Sequence, residues 1–390
     1  MTILQFSKTL QQLPTQFFSK LVKQVNAAKA EGRDIINLGQ GNPDQPTPDH
    51  IIKELQRAAA DPESHRYSPF SGKESLKKAI CSFYEREYGV TLQHDTEVAI
   101  LFGGKIGLVE LPLCFCDEGD LILAPDPGYP DYLSGISLAK ATTHFMPLEE
   151  SNQFLPDYNQ IPSEIAKQAK LMFLNYPNNP TGATATKEFF EETVAFAKQN
   201  DVIITHDFAY GALGFGEQKP LSFMQTEGAK EVGVEIYTLS KTFNMAGWRV
   251  AFAVGNVKII EAINLIQDHM YVSLFPAIQD AAVEALMNGE ESVKELVALY
   301  KERRDAFVEK CATIGWHAAP TEGSFFVWMP VAKGFTSELF ATHLLDHADV
   351  AVAPGIGFGE YGEGYVRVGL VENKDRLLEA VDRIAKCKLF

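Results

Sequence analysis

Positive charge is in short supply in this sequence. Lysine and arginine number 35 against 51 aspartates and glutamates in 390 residues, a net charge of −16 with the histidines neutral. Polyanion recognition needs cations in excess, so the balance argues against nucleic acid or an anionic membrane surface as a partner. Cysteine is scarce too. Five (Cys81, Cys114, Cys116, Cys311, Cys387) is an odd and sparse set, a poor disulfide framework that fits a reducing, cytoplasmic setting. Cys114 and Cys116 are one residue apart, which is neither a zinc-knuckle nor a redox spacing, and they read as buried thiols. No apolar run approaches the roughly 18 residues of a membrane-spanning helix. No basic segment followed by an apolar stretch marks a secretory signal. Internal repeats and low-complexity tracts are missing as well.

What is present is an ordinary globular composition: 46% apolar residues and a mean hydropathy of −0.09. A chain this long forms two or more domains with sizeable cores. Short apolar segments are punctuated by Gly and Pro clusters, as in alternating strands and helices. A first helix is predicted over 16–31, ending at Gly32, followed by the apolar stub and loop INLGQGNPDQPTP. Leu76, Ala79, Ile80 and Phe83 mark one helix face, as do Phe190, Val194 and Ala197. VAILF (98–102), DLILA (120–124), LMFLN (171–175), VIITHD (202–207), EIYTLS (235–240) and RVAFAVG (249–255) read as strands. They are apolar on both parities, the mark of strands covered on both faces. The pattern predicts an α/β fold with a mostly parallel, doubly wound sheet.

Further on, Ile259, Ile263, Ile266 and Met270 mark a helix. Val293, Leu296, Val297 and Tyr300 mark another, opened by a capping box of Ser292 with Glu295. SFFVWM (324–329), DVAVA (349–353) and YVRVGL (365–370) follow as strands, and Leu377, Val381 and Ile384 mark a closing helix. These predict a smaller α+β domain. The division is a large domain over 45–285 and a small one over 286–390, joined by the N-terminal helix within 1–44.

Polar residues cap the buried strands, at the edge where open α/β sheets place ligands. Gly103, Gly104 and Lys105 follow VAILF and suit a phosphate at a helix start, or form a plain Gly–Gly turn. They are no Walker A loop. Asp207 ends VIITHD, as a helix N-cap or as a carboxylate holding a proton on a ligand's ring nitrogen. Lys241 follows EIYTLS, as a solvated helix-start lysine or as a partly desolvated amine suited to Schiff-base chemistry. His206 reads as a packed strand residue. His343 and His347 stand at i, i+4, but no glutamate follows His343 as in H-E-x-x-H; a solvated or capping role is expected, with no metal. Gly355, Gly357, Gly359, Gly362 and Gly364 lead into another strand rather than a helix, which argues against a dinucleotide loop.

NYPNNPTG (175–182), HDFAY (206–210) and TLSKTFNMAGWRV (238–250) occur in this order. Their order and spacing resemble the signatures of fold-type I pyridoxal-phosphate aminotransferases, classes I and II, and the resemblance spans almost the whole chain. It implies pyridoxal 5'-phosphate as cofactor and the following roles. Lys241 bonds the cofactor and then moves a proton. Asp207 faces the pyridine nitrogen, and Asn179 and Tyr210 the phenolic oxygen. Gly104, Lys105, Thr238 and Arg249 hold the phosphate, and Tyr129 stacks on the ring. Arg367 grips the substrate carboxylate bidentately, with backbone from Gly39. Tyr67 reaches the phosphate of a neighbouring subunit, which implies a homodimer with shared active sites. Two positions depart from the family pattern: Gly104 in the phosphate turn, and Thr238 where many relatives carry serine.

The stretches LPTQFF, NLGQGNPDQPTP, FGGKIGLVELP and QDHMYVSLF resemble the methionine-regenerating aminotransferases of bacterial methylthioadenosine salvage. That implies 4-methylthio-2-oxobutanoate as acceptor, with glutamine or another neutral amino acid as donor. Aromatic candidates for the lining, Phe17, Phe18, Phe70, Tyr129, Phe325 and Phe326, agree with an apolar side chain, although each also reads as core. Two other classes fit parts of the pattern. One is a carbon–sulfur β-lyase on the same fold. The other is a non-catalytic aminotransferase-like module, against which the acidic composition argues.

Overall fold

The strand segments are hydrophobic on both parities because both of their faces are covered. In the computed structural model, which describes residues 4–14, 17–319 and 321–390 (of 17 and 18 the backbone alone), they form one seven-stranded sheet. After a two-residue β1 (Ile36–Asn37), its strands are β2 (Val98–Leu101), β3 (Leu121–Asp126), β4 (Thr142–Pro147), β5 (Ala169–Asn175), β6 (Ile203–Asp207), β7 (Gly233–Thr238) and β8 (Ala251–Gly255). Their order is β2-β8-β7-β6-β5-β3-β4, parallel except for β8, which runs antiparallel to β2 and β7. Every residue of β2, β7 and β8 is buried.

β4 has no counterpart among the strands expected from sequence. It pairs with β3 alone, and most of its residues are partly or fully exposed. An edge strand of this kind carries Thr142, Thr143 and His144 where a central strand would carry aliphatics.

The helices follow the periodicity. Phe17–Ala30, Glu74–Tyr88 and Lys187–Asn200 form where predicted, and Leu76, Ala79, Ile80 and Phe83 are buried. In Val257–Met270, Ile259 and Ile263 are buried, but Met270 is exposed in the last turn. The helix Glu290–Thr313 does not open on a capping box: its N-cap is Gly289, and Ser292 lies inside it. Gly289 closes the preceding helix Pro276–Asn288, its amide bonding Ala285 O at 3.0 Å, so the next helix starts at once. Cys114 and Cys116, read as buried, are half-buried; burial still pushes their thiols up, to about 12 and about 11.

The expected strand DVAVA divides into β10 (Val350–Ala351) and β11 (Ala353–Pro354), after β9 (Phe326–Pro330) and before β12 (Tyr365–Gly369). The chain changes partners at Val352: β10 pairs with β1, and β11 with β12, which also pairs with β9. A second core gathers Ile36 and Leu38 with Tyr300, Phe340, Val368 and Leu377. Two 3-10 turns span Gly355–Gly362 and lead into β12. His343 and His347 stack at 4.2 Å on the helix Ser337–Ala348. Among the described residues no group of three or more histidines, cysteines or carboxylates could hold a metal. Nor is any described helix long and apolar enough to cross a membrane.

Candidate active site

Strand register brings the distant motifs together. Leu101, Ala251 and Thr238 are side by side across β2, β8 and β7, so Gly103–Lys105, Arg249 and Thr238 meet at one edge of the sheet. Asn175 pairs with Asp207, and Asp207 with Ile236, at the same edge. A cavity of about 380 Å³ opens there. Lys241, Asp207, Tyr210, Asn179, Arg367 and Gly39 line it, as do Gly104, Lys105, Tyr129, Thr238 and Arg249. Among its described lining residues are four cations and one carboxylate, in a chain of net charge −16. Such a site takes an anionic ligand.

Gly103 shapes the first corner. It adopts φ 85° and ψ 155°, a conformation almost closed to other residues, just before the helix Gly104–Phe115. A Cβ there would stand 2.1 Å from Arg249 Nη2. Glycine therefore lets a guanidinium rest against the start of a helix, where free amides already favour an anion. Gly103→Ala is expected to cost about 1–3 kcal/mol in backbone strain and to displace Arg249. Thermal melts and cofactor titration will both register it. Gly104→Ala is the control: its Cβ would meet only ordinary contacts, at 3.6 and 3.8 Å.

Two of the other residues expected around a phosphate are already engaged. Lys105 Nζ is 2.8 Å from Asp131. The Thr238 hydroxyl donates to Ser240 Oγ at 2.9 Å and accepts from the Ser240 amide at 3.2 Å.

Asp207 is buried and caps no helix. One oxygen accepts from Tyr132 OH at 3.0 Å, the other from the Ala209 amide at 3.3 Å. Burial raises its carboxyl from 3.8 to about 6, against the pull of the Tyr132 hydrogen bond. Lys241, in the short helix Leu239–Thr242, donates to Gly41 O at 2.9 Å and lies 5.5 Å from the Phe325 ring centroid. Desolvation, with Arg367 and Arg249 nearby, lowers its amine from 10.5 to about 8. This is the desolvated amine, not a solvated helix-start lysine.

Arg367 sits in β12, 2% exposed. It donates to Asn179 Oδ1 at 2.8 Å and Gly39 O at 3.1 Å, and lies over the Phe326 ring at 4.0 Å. Burial brings it down to about 10. Tyr210 stands edge-on to Phe325 and Phe326, at 5.4 and 5.7 Å. Its phenol is pushed up by burial.

Tyr67 is not in the cavity. In the single chain it is 89% exposed, beside Ser68, whose Oγ accepts from Gln279 at 3.0 Å. Phe70 is exposed as well, so neither it nor Phe325, packed behind Phe326, lines the cavity directly. The side chains of Phe17 and Phe18 lie outside the described residues.

Sequence reading missed Tyr132, Asn175 and Asp131. Asn175 donates to Asp207 O at 2.7 Å and accepts from the Asn179 amide at 2.8 Å, tying the two strand ends together. It opens NYPNNPTG and Tyr132 closes DPGYPDY, so position in those motifs was the available signal.

The donor set fits pyridoxal phosphate: a guanidinium and helix amides around Gly103 for a phosphate, a buried carboxylate for a ring nitrogen, and a desolvated amine between two arginines. Residues 33–384 match the family model for aminotransferase class I and II. The chain is 62% identical over 384 residues to an L-glutamine–4-(methylsulfanyl)-2-oxobutanoate aminotransferase of Bacillus subtilis, covering 98% of this chain and 96% of that protein. It is 44% identical over 383 residues to an LL-diaminopimelate aminotransferase of Moorella thermoacetica, covering 98% of each. The solved structure of substrate-bound BacF from Bacillus subtilis superposes with a TM-score of 0.95 at 48% identity, over 99% of this chain and 98% of that one. A Staphylococcus aureus aminotransferase superposes with a TM-score of 0.92 at 41% identity, over 98% and 99%. The chain belongs to the class I and II aminotransferases and is a pyridoxal-phosphate-dependent transaminase.

Proposed function

We propose that this transaminase forms methionine from 4-(methylsulfanyl)-2-oxobutanoate, with glutamine or another neutral amino acid as donor. The observation that carries the proposal is the 62% identity, over nearly the full length of both chains, to the Bacillus subtilis enzyme of that printed activity. The cavity agrees with it. Its two arginines each have a place, Arg249 at the phosphate corner beside Gly103 and Arg367 at the substrate's α-carboxylate. A second substrate carboxylate would find no further guanidinium among the described lining residues, whereas Leu21, Val22 and Phe326 offer apolar surface.

Pyridoxal phosphate supplies the electron sink that transamination requires. The chain supplies the rest. Arg367 binds the substrate carboxylate as a planar fork, with Gly39 backbone beside it, and fixes which Cα–H bond faces Lys241. The Lys241 amine takes the Cα proton and returns it, and a group held near 8 by its surroundings exchanges protons readily close to neutral pH. Asp207 holds a proton on the ring nitrogen. Asn179 and Tyr210 present an amide and a phenol to the phenolic oxygen, and Tyr129 covers one ring face. Gly104, Lys105, Thr238 and Arg249 hold the phosphate.

The test is a panel of 2-oxo acids with glutamine as donor. The methylsulfanyl acid is expected to exceed oxaloacetate and 2-oxoglutarate by about tenfold or more in kcat/KM, since an unpaired buried carboxylate is strongly rejected. Turnover confined to the dicarboxylic acids would overturn the substrate. Pyruvate and ammonia from cystathionine, with no acceptor present, would point to the β-lyase instead.

We further propose a homodimer in which Tyr67 completes the partner's phosphate site. Support comes from Tyr67 and Phe70, two exposed aromatics three residues apart in one loop. Sedimentation at the mass of two copies is expected, and a monomer at assay concentrations refutes the shared site. All five cysteines are free, which suits a cytoplasmic enzyme.

A further inference from the structure

His206 and Glu235 face each other in register across β6 and β7, and both side chains are fully buried. His206 lies on the opposite strand parity to Asp207, and neither it nor Glu235 lines the cavity. Glu235 Oε1 accepts from Tyr84 OH at 2.8 Å and from Ser222 Oγ at 2.6 Å. Its Oε2 accepts from the Phe223 amide at 2.7 Å and stands 2.7 Å from His206 Nδ1. Three donors, from Tyr84, Ser222 and Phe223, converge on this carboxyl group, and the imidazole is its fourth neighbour. On the far side of the imidazole, the Tyr176 amide donates to His206 Nε2 at 3.2 Å. That nitrogen accepts and carries no hydrogen. The ring is therefore neutral, with its proton on Nδ1 and directed at Glu235.

The imidazole is thus an acceptor for one backbone amide. Tyr176 is the first residue after β5 and begins the turn that carries Asn179. Asn179 Oδ1 in turn accepts from Arg367 Nη1 at 2.8 Å. We propose that His206 and Glu235 are positioning residues: a neutral imidazole, held in one tautomer by a buried carboxyl group, anchors the turn that sets Asn179 against Arg367. The functional consequence rests on the reading of Arg367 as the substrate-carboxylate grip.

In Glu235→Gln the amide oxygen can still accept from the Phe223 amide and His206 Nδ1, while its NH2 donates to the Tyr84 and Ser222 hydroxyls, so the tautomer and the anchor are kept. His206→Leu deletes the acceptor outright, while His206→Gln keeps one acceptor and one donor.

The first readout needs no cofactor and no activity: the ring nitrogens of His206 in the ¹⁵N-labelled, cofactor-free protein near neutral pH. A protonated Nδ1 and a bare Nε2 are expected, and a proton on Nε2, or on both, overturns the proposal. The second readout is the kinetics of the holoenzyme. His206→Leu is expected to raise KM for the amino donor about tenfold, the value of one buried hydrogen bond, with kcat within about twofold. His206→Gln restores most of the loss. A fall in melting temperature with KM unchanged would mean a merely structural pair and would overturn the positioning role. Arg367→Lys separates the two readings: if it leaves KM unmoved, the carboxylate grip is wrong, and the tautomer still decides the anchor.

Discussion

Replacing Lys241 with alanine is expected to remove transamination, lowering turnover by about 10⁴-fold or more, because the proposed mechanism gives one amine both the bond to the cofactor and the proton transfer. The fold survives. The side chain lines a cavity, and its amine makes one hydrogen bond, to Gly41 O at 2.9 Å. Far-ultraviolet dichroism and gel filtration should match the parent, and retention of more than about a hundredth of the activity would remove Lys241 from the chemistry.

The amine also leaves a stability signature in the cofactor-free protein. Its value falls from 10.5 to about 8, chiefly through burial and then through Arg367 and Arg249. Below about 8 the ammonium is present in both states and is disfavoured in the folded one. Between about 8 and 10.5 the unfolded chain binds more protons, so stability rises with pH and the penalty disappears. Lys241→Ala is therefore more stable than the parent below about 8, and the two converge above 10.5. Melting curves across that window check the sign. Acylation of the amine by a small reagent, followed by peptide mapping, should accelerate through the same midpoint.

Much of this site was legible because its chemistry sits at the ends of apolar strands. Asp207, Lys241 and Asn179 each follow a run of buried residues, and Arg367 stands within one, where a cation demands a reason. The residues that orient them were not legible, since their partners are set by register and crossover. Tyr132 reaches Asp207 from 75 positions earlier, and Glu235 meets His206 across 29. The strand readings failed where burial is one-sided or brief, as in the exposed edge β4 and the two-residue β1. The capping box at Ser292 failed for another reason: Gly289 had already turned the chain into its next helix. Tyr67 reads as a functional residue in sequence, yet it is not among the residues lining the cavity of one chain, so the role proposed for it requires a second copy.

Asp207→Asn is the second large effect, a loss of about 10²–10³-fold in turnover, the scale of removing one preorganised charge from a buried site. An asparagine keeps the size, but its single oxygen can accept from only one of Tyr132 and Ala209, and it cannot hold a ring-nitrogen proton by charge. The carboxyl's own titration sharpens the test. Burial raises it from 3.8 to about 6, with Tyr132, the Ala209 amide and Lys241 opposing. The carboxylate is the form that serves the ring nitrogen, and it is favoured as pH rises. Stability of the cofactor-free protein runs the other way. Between 3.8 and about 6 the folded state holds a proton that the unfolded chain has released, so the parent loses stability as pH rises, and the variant does not. Above about 6 the variant is the more stable protein and the poorer enzyme. That opposition is what a buried charge kept for catalysis produces, and a variant that lost activity and stability together would show that the carboxylate serves the fold instead.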